Sequence, residues 1–259
     1  ISSKNLRISD KIEKSEVFII TVPTPFKDHT KNSVPTPDIG FVINAINSIC
    51  EVIKEGDLII LESTSPVGTT EKIANLIFKK TRLNSNQVHI AYCPERVIPG
   101  NIILELVENN RVVGGLTKEA SDKAKSFYST FCKGNIDITT TKVAEFVKLS
   151  ENTYRDINIA YANELSIVCD ELNINPLEVI KFANKHPRVN ILNPGCGVGG
   201  HCIAVDPWFI ASEFPNQTDL IQIARKTNLK KTSWVVNKII SKVKDLENQF
   251  NKKITIGIL

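Results

Sequence analysis

Short, nearly unbroken apolar runs alternate with amphipathic stretches over the first half of the chain. SEVFIITV (15–22), DLIILEST (57–64), VHIAYCP (88–94), NRVVGGL (110–116) and IDITT (136–140) read as strands, rich in β-branched residues and bounded by turn residues. Between them, 38–56, 69–80 and 118–131 carry helical spacing. The alternation predicts an α/β unit with a parallel sheet, and the near-continuous apolar strands predict helices on both of its faces. The second half changes character. Residues 141–172 form one long helical pattern without Gly or Pro, followed by helical patterns over 176–185 and about 215–248. A last apolar run, KKITIGIL, reads as the opening strand of a further α/β unit.

Three of the strands run into distinctive loops: VPTPF after the first, STSPVGTT after the second, CPERVIPG after the third. In an open parallel sheet, ligands sit beyond the carboxyl ends of the strands, so these loops are expected to converge on one site. A dinucleotide-binding GxGxxG turn is missing, because GVGG (197–200) has no strand before it and no helix of the right kind after it. On the long helix, Lys148, Asn152 and Arg155 stand at i, i+4 and i+7 and share a face, while Phe146, Ile157, Tyr161, Leu165 and Val168 populate apolar faces. The residues alone leave open whether this polar stripe is functional or merely solvated.

The loop NPGCGVGGHCIAVDP (193–207) gathers four of the 12 glycines and two of the six cysteines. Cys196, His201 and Cys202 could be metal ligands, but structural zinc takes two spaced ligand pairs and no second pair exists in the chain. A Cys196–Cys202 disulfide, a turn with buried thiols, and a nucleophilic cysteine exposed by glycines with Asp206 four residues on all remain open. Cys50, Cys93, Cys132 and Cys169 lie in apolar contexts and read as reduced core residues.

Composition narrows the class. At 259 residues and 42% hydrophobic content, the chain can bury one large core or two smaller ones. Lys and Arg exceed Asp and Glu by only 32 to 28, which argues against a nucleic-acid partner. No apolar run approaches the roughly 20 residues that cross a bilayer, so no membrane association and a cytoplasmic location are expected. The chain has no methionine and opens at Ile1, and a fragment of a longer protein is expected.

Taken in order, VPTPF, ESTSPVGT, CPERVIPGN, AEFVKLSENTYRDINIAYANEL and NPGCGVGGHCIAVDPWF resemble the UDP-glucose/GDP-mannose dehydrogenase family over essentially the whole chain. Within it, GVGGHCIAVDPWF and PERVIPG look most like the branch acting on UDP-N-acetyl-D-mannosamine; the UDP-glucose and UDP-N-acetylglucosamine branches are the alternatives, with a non-catalytic nucleotide-sugar binding fragment as a third. The resemblance implies NAD-dependent oxidation of a sugar C6 alcohol to a carboxylate. It implies part of an N-terminal Rossmann-type NAD-binding domain over 1–140 with its first βαβ missing, a central helical domain over 141–250 that carries substrate and a homodimer contact, and the first strand of a UDP-binding domain over 251–259.

Residue by residue, the resemblance implies Cys202 as nucleophile, Lys148 as the cation steadying alkoxide and oxyanion, Asn152 as the group positioning the C6 oxygen or a water, Asp206 as the base that activates water, and Glu95 near that water. Arg96, Val97, Lys148, Asn152, Arg155, His186, Arg188 and Gly200 match positions lining the nucleotide-sugar pocket, and Thr24 and Thr64 match NAD-contacting threonines. No metal is implied. The chain departs from the pattern twice: Pro99 replaces a second glutamate of the UDP-glucose branch, and Cys196 stands where the mannosamine branch has proline.

Overall fold

The computed structural model describes residues 6–27 and 34–258, and the chain divides into two compact units, Ile1–Ser150 and Glu151–Leu259. The first unit holds a five-stranded sheet of β1 (Val17–Ile20), β2 (Leu58–Leu61), β3 (His89–Tyr92), β4 (Arg111–Gly115) and β5 (Ile136–Thr140), hydrogen-bonded in that spatial order. Helices α1 (Gly40–Ile49), α2 (Thr69–Thr81), α3 (Ile102–Glu108) and α4 (Lys118–Tyr128) connect the strands.

Side chains on neighbouring residues of a strand point to opposite faces, so a strand that is apolar throughout must be covered twice. In β2, Ile59 and Leu61 pack with Phe18, Ile90 and Tyr92 against Val42 and Ile46 of α1 and Ile73 and Ile77 of α2. Leu58 and Ile60 face the other way, into a cluster with Ala91, Cys93, Val113 and α4 residues Ala124 and Tyr128. Coverage fails at the edge, where Ile19 of β1 is exposed.

The sheet corrects the expectation of uniformly parallel strands. β1, β2 and β3 are parallel and β4 and β5 are parallel, but β4 runs antiparallel to β3. The cause lies in the segment between them, which never crosses to the far end of the sheet. Arg96 Nη1 donates to the Asn110 carbonyl at 3.2 Å and Asn109 Nδ2 to the Arg96 carbonyl at 3.1 Å. β4 therefore starts at the edge where β3 ends and must run back. Close approach needs Gly114 and Gly115, where a Cβ would fall 2.4 Å from the Thr140 oxygen and the Ser121 nitrogen respectively.

Helix α5 (Thr141–Glu171) begins in the first unit and continues into the second, where α6 (Pro176–Ala183), α7 (Asp206–Glu213) and α8 (Asp219–Phe250) follow. Burial along α5 does not follow polarity. Phe146, Tyr161 and Val168 are exposed, whereas Asn152, Thr153, Asp156, Asn163 and Ser166 are buried. The buried polar groups are matched in kind by α8. Asn228 bonds to Asp156 and Asn163, Arg225 pairs with Asp156 at 2.6 Å, and Lys231 donates to Ser166 Oγ at 2.7 Å. Two short helices, α3 and α7, were not anticipated, because seven or eight residues hold too few turns to display a period. Residues 251–258 form no strand, and the Ile254 amide donates to Glu247 Oε1 at 3.2 Å; Leu259 lies outside the described residues.

Candidate active site

In the first unit, the three expected loops do gather at the carboxyl edge of β1, β2 and β3. Thr24 Oγ1 donates to the Thr64 carbonyl at 2.7 Å, and Ser63 Oγ donates to the Val22 carbonyl at 2.7 Å, tying the first loop to the second. Both threonines are half-buried. The amino end of α2, which lies beside them, is already taken. The Glu145 carboxylate of α5 accepts from Gly68 N at 2.6 Å and from Thr70 N and Oγ1 at 2.7 and 2.6 Å. An acidic cap suits the positive end of the helix dipole, and it occupies the amides of Gly68 and Thr70.

The third loop brings Glu95, Arg96 and Val97 to the same edge, all half-buried. Glu95 is the hub. Its Oε1 accepts from Arg96 N at 2.6 Å, its backbone oxygen accepts from Lys148 Nζ at 2.7 Å, and its Oε2 lies 3.5 Å from Arg111 Nη2. Arg111 was not singled out in the sequence, although one arginine opening an otherwise apolar strand is a visible signal. It is buried on β4, with its guanidinium 4.6 Å from the Tyr128 ring centroid. Tyr128 in turn donates its hydroxyl to Glu62 Oε1 at 2.5 Å. Burial pushes the Glu62 carboxyl up and the Cys93 thiol up to about 11, so this thiol is a neutral packing group.

The second unit holds the remaining candidates. Asn152 Nδ2 donates to Asp206 Oδ2 at 2.5 Å, with both residues buried. Asp206 opens α7 and is followed by Pro207, a residue suited to the first helical turn. The turn over 201–205 that leads into it begins near Cys202, whose carbonyl accepts from Val205 N and Asp206 N, both at 2.9 Å. Cys202 and Cys196 are both exposed free thiols. Arg155, His186 and Arg188 are exposed as well, and Gly200 takes a positive φ of 83° in open space. The glycine loop is held to the helices by Asn163 Oδ1, which accepts from Gly195 N at 2.8 Å, and by Thr232 Oγ1, which donates to the Cys196 carbonyl at 2.8 Å. Among the described residues, no group of three or more His, Cys, Asp or Glu side chains is arranged to hold a metal, and no helix is long and apolar enough to cross a membrane.

Residues 1–132 match the NAD-binding domain of the UDP-glucose/GDP-mannose dehydrogenase family, and residues 142–230 match its central domain. The chain is 51% identical over 256 residues to a UDP-N-acetyl-D-mannosamine dehydrogenase of Methanococcus vannielii, covering 99% of this chain and 58% of that protein. Identity to the enzyme of the same name from Escherichia coli K12 is 48% over 249 residues, again covering 58% of the relative. Among solved structures, a UDP-D-ManNAc dehydrogenase from Pyrococcus horikoshii superposes with a TM-score of 0.85 at 41% identity, over 91% of this chain and 55% of that one. The chain thus spans a little over half the length of these relatives.

Proposed function

Because the chain belongs to the UDP-glucose/GDP-mannose dehydrogenase family, we propose that the protein containing it oxidises the C6 hydroxyl of UDP-N-acetyl-D-mannosamine to the uronate with NAD, in two steps at one carbon. The observation that carries this reading is a hydrogen-bonded pair within each unit, Lys148 Nζ to Glu95 O in the first and Asn152 Nδ2 to Asp206 Oδ2 in the second, each made of two residues matched to family catalytic positions. The names of the relatives, each a UDP-N-acetyl-D-mannosamine dehydrogenase, support the choice of sugar.

NAD, when bound, accepts the hydride at each oxidation. The residues present fit one part of it: Thr24 and Thr64 lie at the carboxyl edge of parallel strands, where such cofactors sit, while Glu145 already occupies the Gly68 and Thr70 amides at the start of α2.

The remaining chemistry belongs to side chains. Lys148, a fixed ammonium, stabilises the negative charge that grows on the C6 oxygen, an effect worth on the order of 3 kcal/mol when the donor is preorganised. The Cys202 thiolate adds to the aldehyde carbon, and the oxygen of the resulting thiohemiacetal keeps its charge near Lys148. Loss of the second hydride from that adduct leaves a thioester. Water, oriented by Asn152 and relieved of a proton by Asp206, attacks the thioester carbon and expels the thiolate, which regenerates Cys202. Glu95 lies near that water. Arg96, Arg155 and Arg188 supply bidentate donors to the diphosphate, with Val97, His186 and Gly200 lining the sugar nucleotide. A second copy of the chain is the partner we infer, since Tyr154, Tyr161 and Val168 of α5 and Leu229, Val236 and Ile239 of α8 leave exposed apolar surface on the second unit.

The test uses the full-length protein with a panel of UDP-sugars and NADH formation as readout. UDP-N-acetyl-D-mannosamine is expected to yield two NADH per uronate, and Cys202→Ala to abolish uronate. Preferred turnover of UDP-glucose or UDP-N-acetylglucosamine reassigns the substrate, and undiminished uronate from Cys202→Ala removes the covalent mechanism.

A further inference from the structure

We propose that Arg111 is a positioning residue that orients Glu95 and, through the Glu95 backbone, sets the ammonium of Lys148. The proposal rests on the functional reading above for its kinetic consequences, but not for its geometry.

Stability gives a poor account of Arg111. It is 3% exposed, and its Nε finds no acceptor. A buried cation with an unmade hydrogen bond costs free energy, and an apolar side chain of similar volume would pack against the same rings. What the guanidinium gains instead is a fixed attitude. It lies over Tyr128 at 4.6 Å and Phe131 at 5.8 Å, and Nη2 donates to the Leu106 carbonyl at 3.3 Å. A planar fork held by two rings and a carbonyl cannot swing. Nη1 donates to Cys93 Sγ at 4.0 Å, and Nη2 also lies 3.5 Å from Glu95 Oε2.

Glu95 passes that constraint on. Its carboxylate is tied at one oxygen to Arg111 and at the other to Arg96 N, so the peptide around it cannot rotate freely, and the carbonyl of that same residue receives Lys148 Nζ. The side chain of Glu95 is 31% exposed, making it the part of the cluster that substrate or water can touch. A second carboxyl is present as well. Glu62 of the β2 loop, hydrogen-bonded to Tyr128, feels the charge of Glu95, which raises it further, and that of Arg111, which lowers it. Pro99 stands where the UDP-glucose branch has a second glutamate, and Glu62 supplies a carboxyl to the same neighbourhood from a different strand, with Arg111 as shared counter-charge.

The experiment is a double-mutant cycle in the full-length enzyme, with Arg111→Gln, Glu95→Gln and both together, and with Arg111→Lys as the variant that keeps the cation. Arg111→Gln is expected to lower kcat by roughly 10- to 100-fold with KM for the sugar nucleotide little changed, as for a displaced catalytic group. The double variant is expected to be no slower than Glu95→Gln alone, because residues acting as a unit are not additive. Arg111→Lys, which keeps the charge without the stacked fork, is expected to fall between. Losses that multiply overturn the proposal. A second arm needs no turnover: acetylation of Lys148 by acetic anhydride, read by mass spectrometry, is expected to speed up several-fold in Arg111→Gln, and in Arg111→Lys if the former does not fold. Unchanged labelling overturns the proposal even if activity falls. Wild-type protein that oxidises no UDP-sugar, yet shows the labelling change, overturns the functional reading and leaves the positioning role standing.

Discussion

Asn152 of α5 and Asp206 at the start of α7 share a hydrogen bond of 2.5 Å in a buried setting. An amide donor facing a carboxylate is a directional pairing: the donor keeps the acid aimed. Cys202 lies four residues before Asp206, and both main-chain amides at 205 and 206 bond back to its carbonyl. The same short turn therefore links the exposed thiol to the buried pair.

Replacing the amide by an acid tests the pair. Asn152→Asp puts two carboxyls at hydrogen-bond distance, and like charges that close cannot both ionise without cost, so one is held protonated well above the ordinary range. An acid whose folded pKa is raised contributes stability in acid and loses it as pH rises through that value. The variant is expected to be about 1–3 kcal/mol less stable than wild type at neutral pH, with the deficit shrinking as pH falls. Urea unfolding across pH measures it, and a deficit independent of pH would show that the pair does not carry charge.

The glycine loop offers a contrast between neighbours. Gly197 has φ of 126°, and a Cβ there would sit 2.2 Å from Thr232 Oγ1 and 3.0 Å from the Asn228 oxygen, whereas a Cβ on Gly199 meets nothing within 4 Å. Gly197→Ala is expected to cost about 1–3 kcal/mol and to speed amide exchange at Gly195, while Gly199→Ala stays within about 0.5 kcal/mol of wild type. Thr232→Ala in the Gly197→Ala background recovers only part of the loss, because the backbone oxygen and the torsion remain.

Sequence carried the strands and long helices because their signals are local. LIIL in β2 could only be a strand covered twice, and α2 and α5 announce themselves by spacing and by the absence of Gly and Pro. The direction of β4 was not legible, since it depends on where an 18-residue excursion returns and not on what β4 contains. The burial of polar residues on α5 was not legible for a related reason: Asn163 and Asp156 are buried because Asn228 and Arg225, more than 60 residues away, bond to them. The candidates Cys202, Lys148, Asn152, Asp206 and Glu95 come from resemblance alone. Arg111, Glu62, Tyr128 and Glu145 were not legible, because each works on another residue's position and has no motif of its own.

Glu145 makes that last group testable. Burial raises its carboxyl above the ordinary value of 4.5, and the bonds from Thr70 and Gly68 offset this only in part. The folded state therefore holds this proton more tightly than the unfolded chain does. Its contribution is fullest below the unfolded value and declines as pH rises through the folded one. In Glu145→Gln, the new amide group points a donor at Gly68 N or Thr70 N, which costs about 1–3 kcal/mol. The stability gap between wild type and variant is expected to narrow as pH rises from acid toward neutrality; a gap that widens would reverse the sign of the burial effect.

The buried ion pair between the two long helices sets the sharpest expectation. Arg225 Nη1 meets Asp156 Oδ1 at 2.6 Å, both essentially inaccessible to solvent, and Asn228 Nδ2 donates to the same oxygen at 2.7 Å. Burial raises the Asp156 carboxyl even with Arg225 opposing it, so the carboxylate depends on its cation. Arg225→Met leaves that charge unpaired, a loss of about 3–5 kcal/mol at neutral pH. The loss is expected to shrink in acid, where Asp156 takes up a proton. Asp156→Asn in the Arg225→Met background removes the charge and keeps an oxygen for Asn228, so the double variant is expected to regain most of the stability. Denaturant unfolding of the two singles and the double decides the matter: a double variant as unstable as the sum of the singles would mean that Arg225 and Asp156 are not coupled, and recovery would mean that Arg225 is there chiefly to neutralise Asp156.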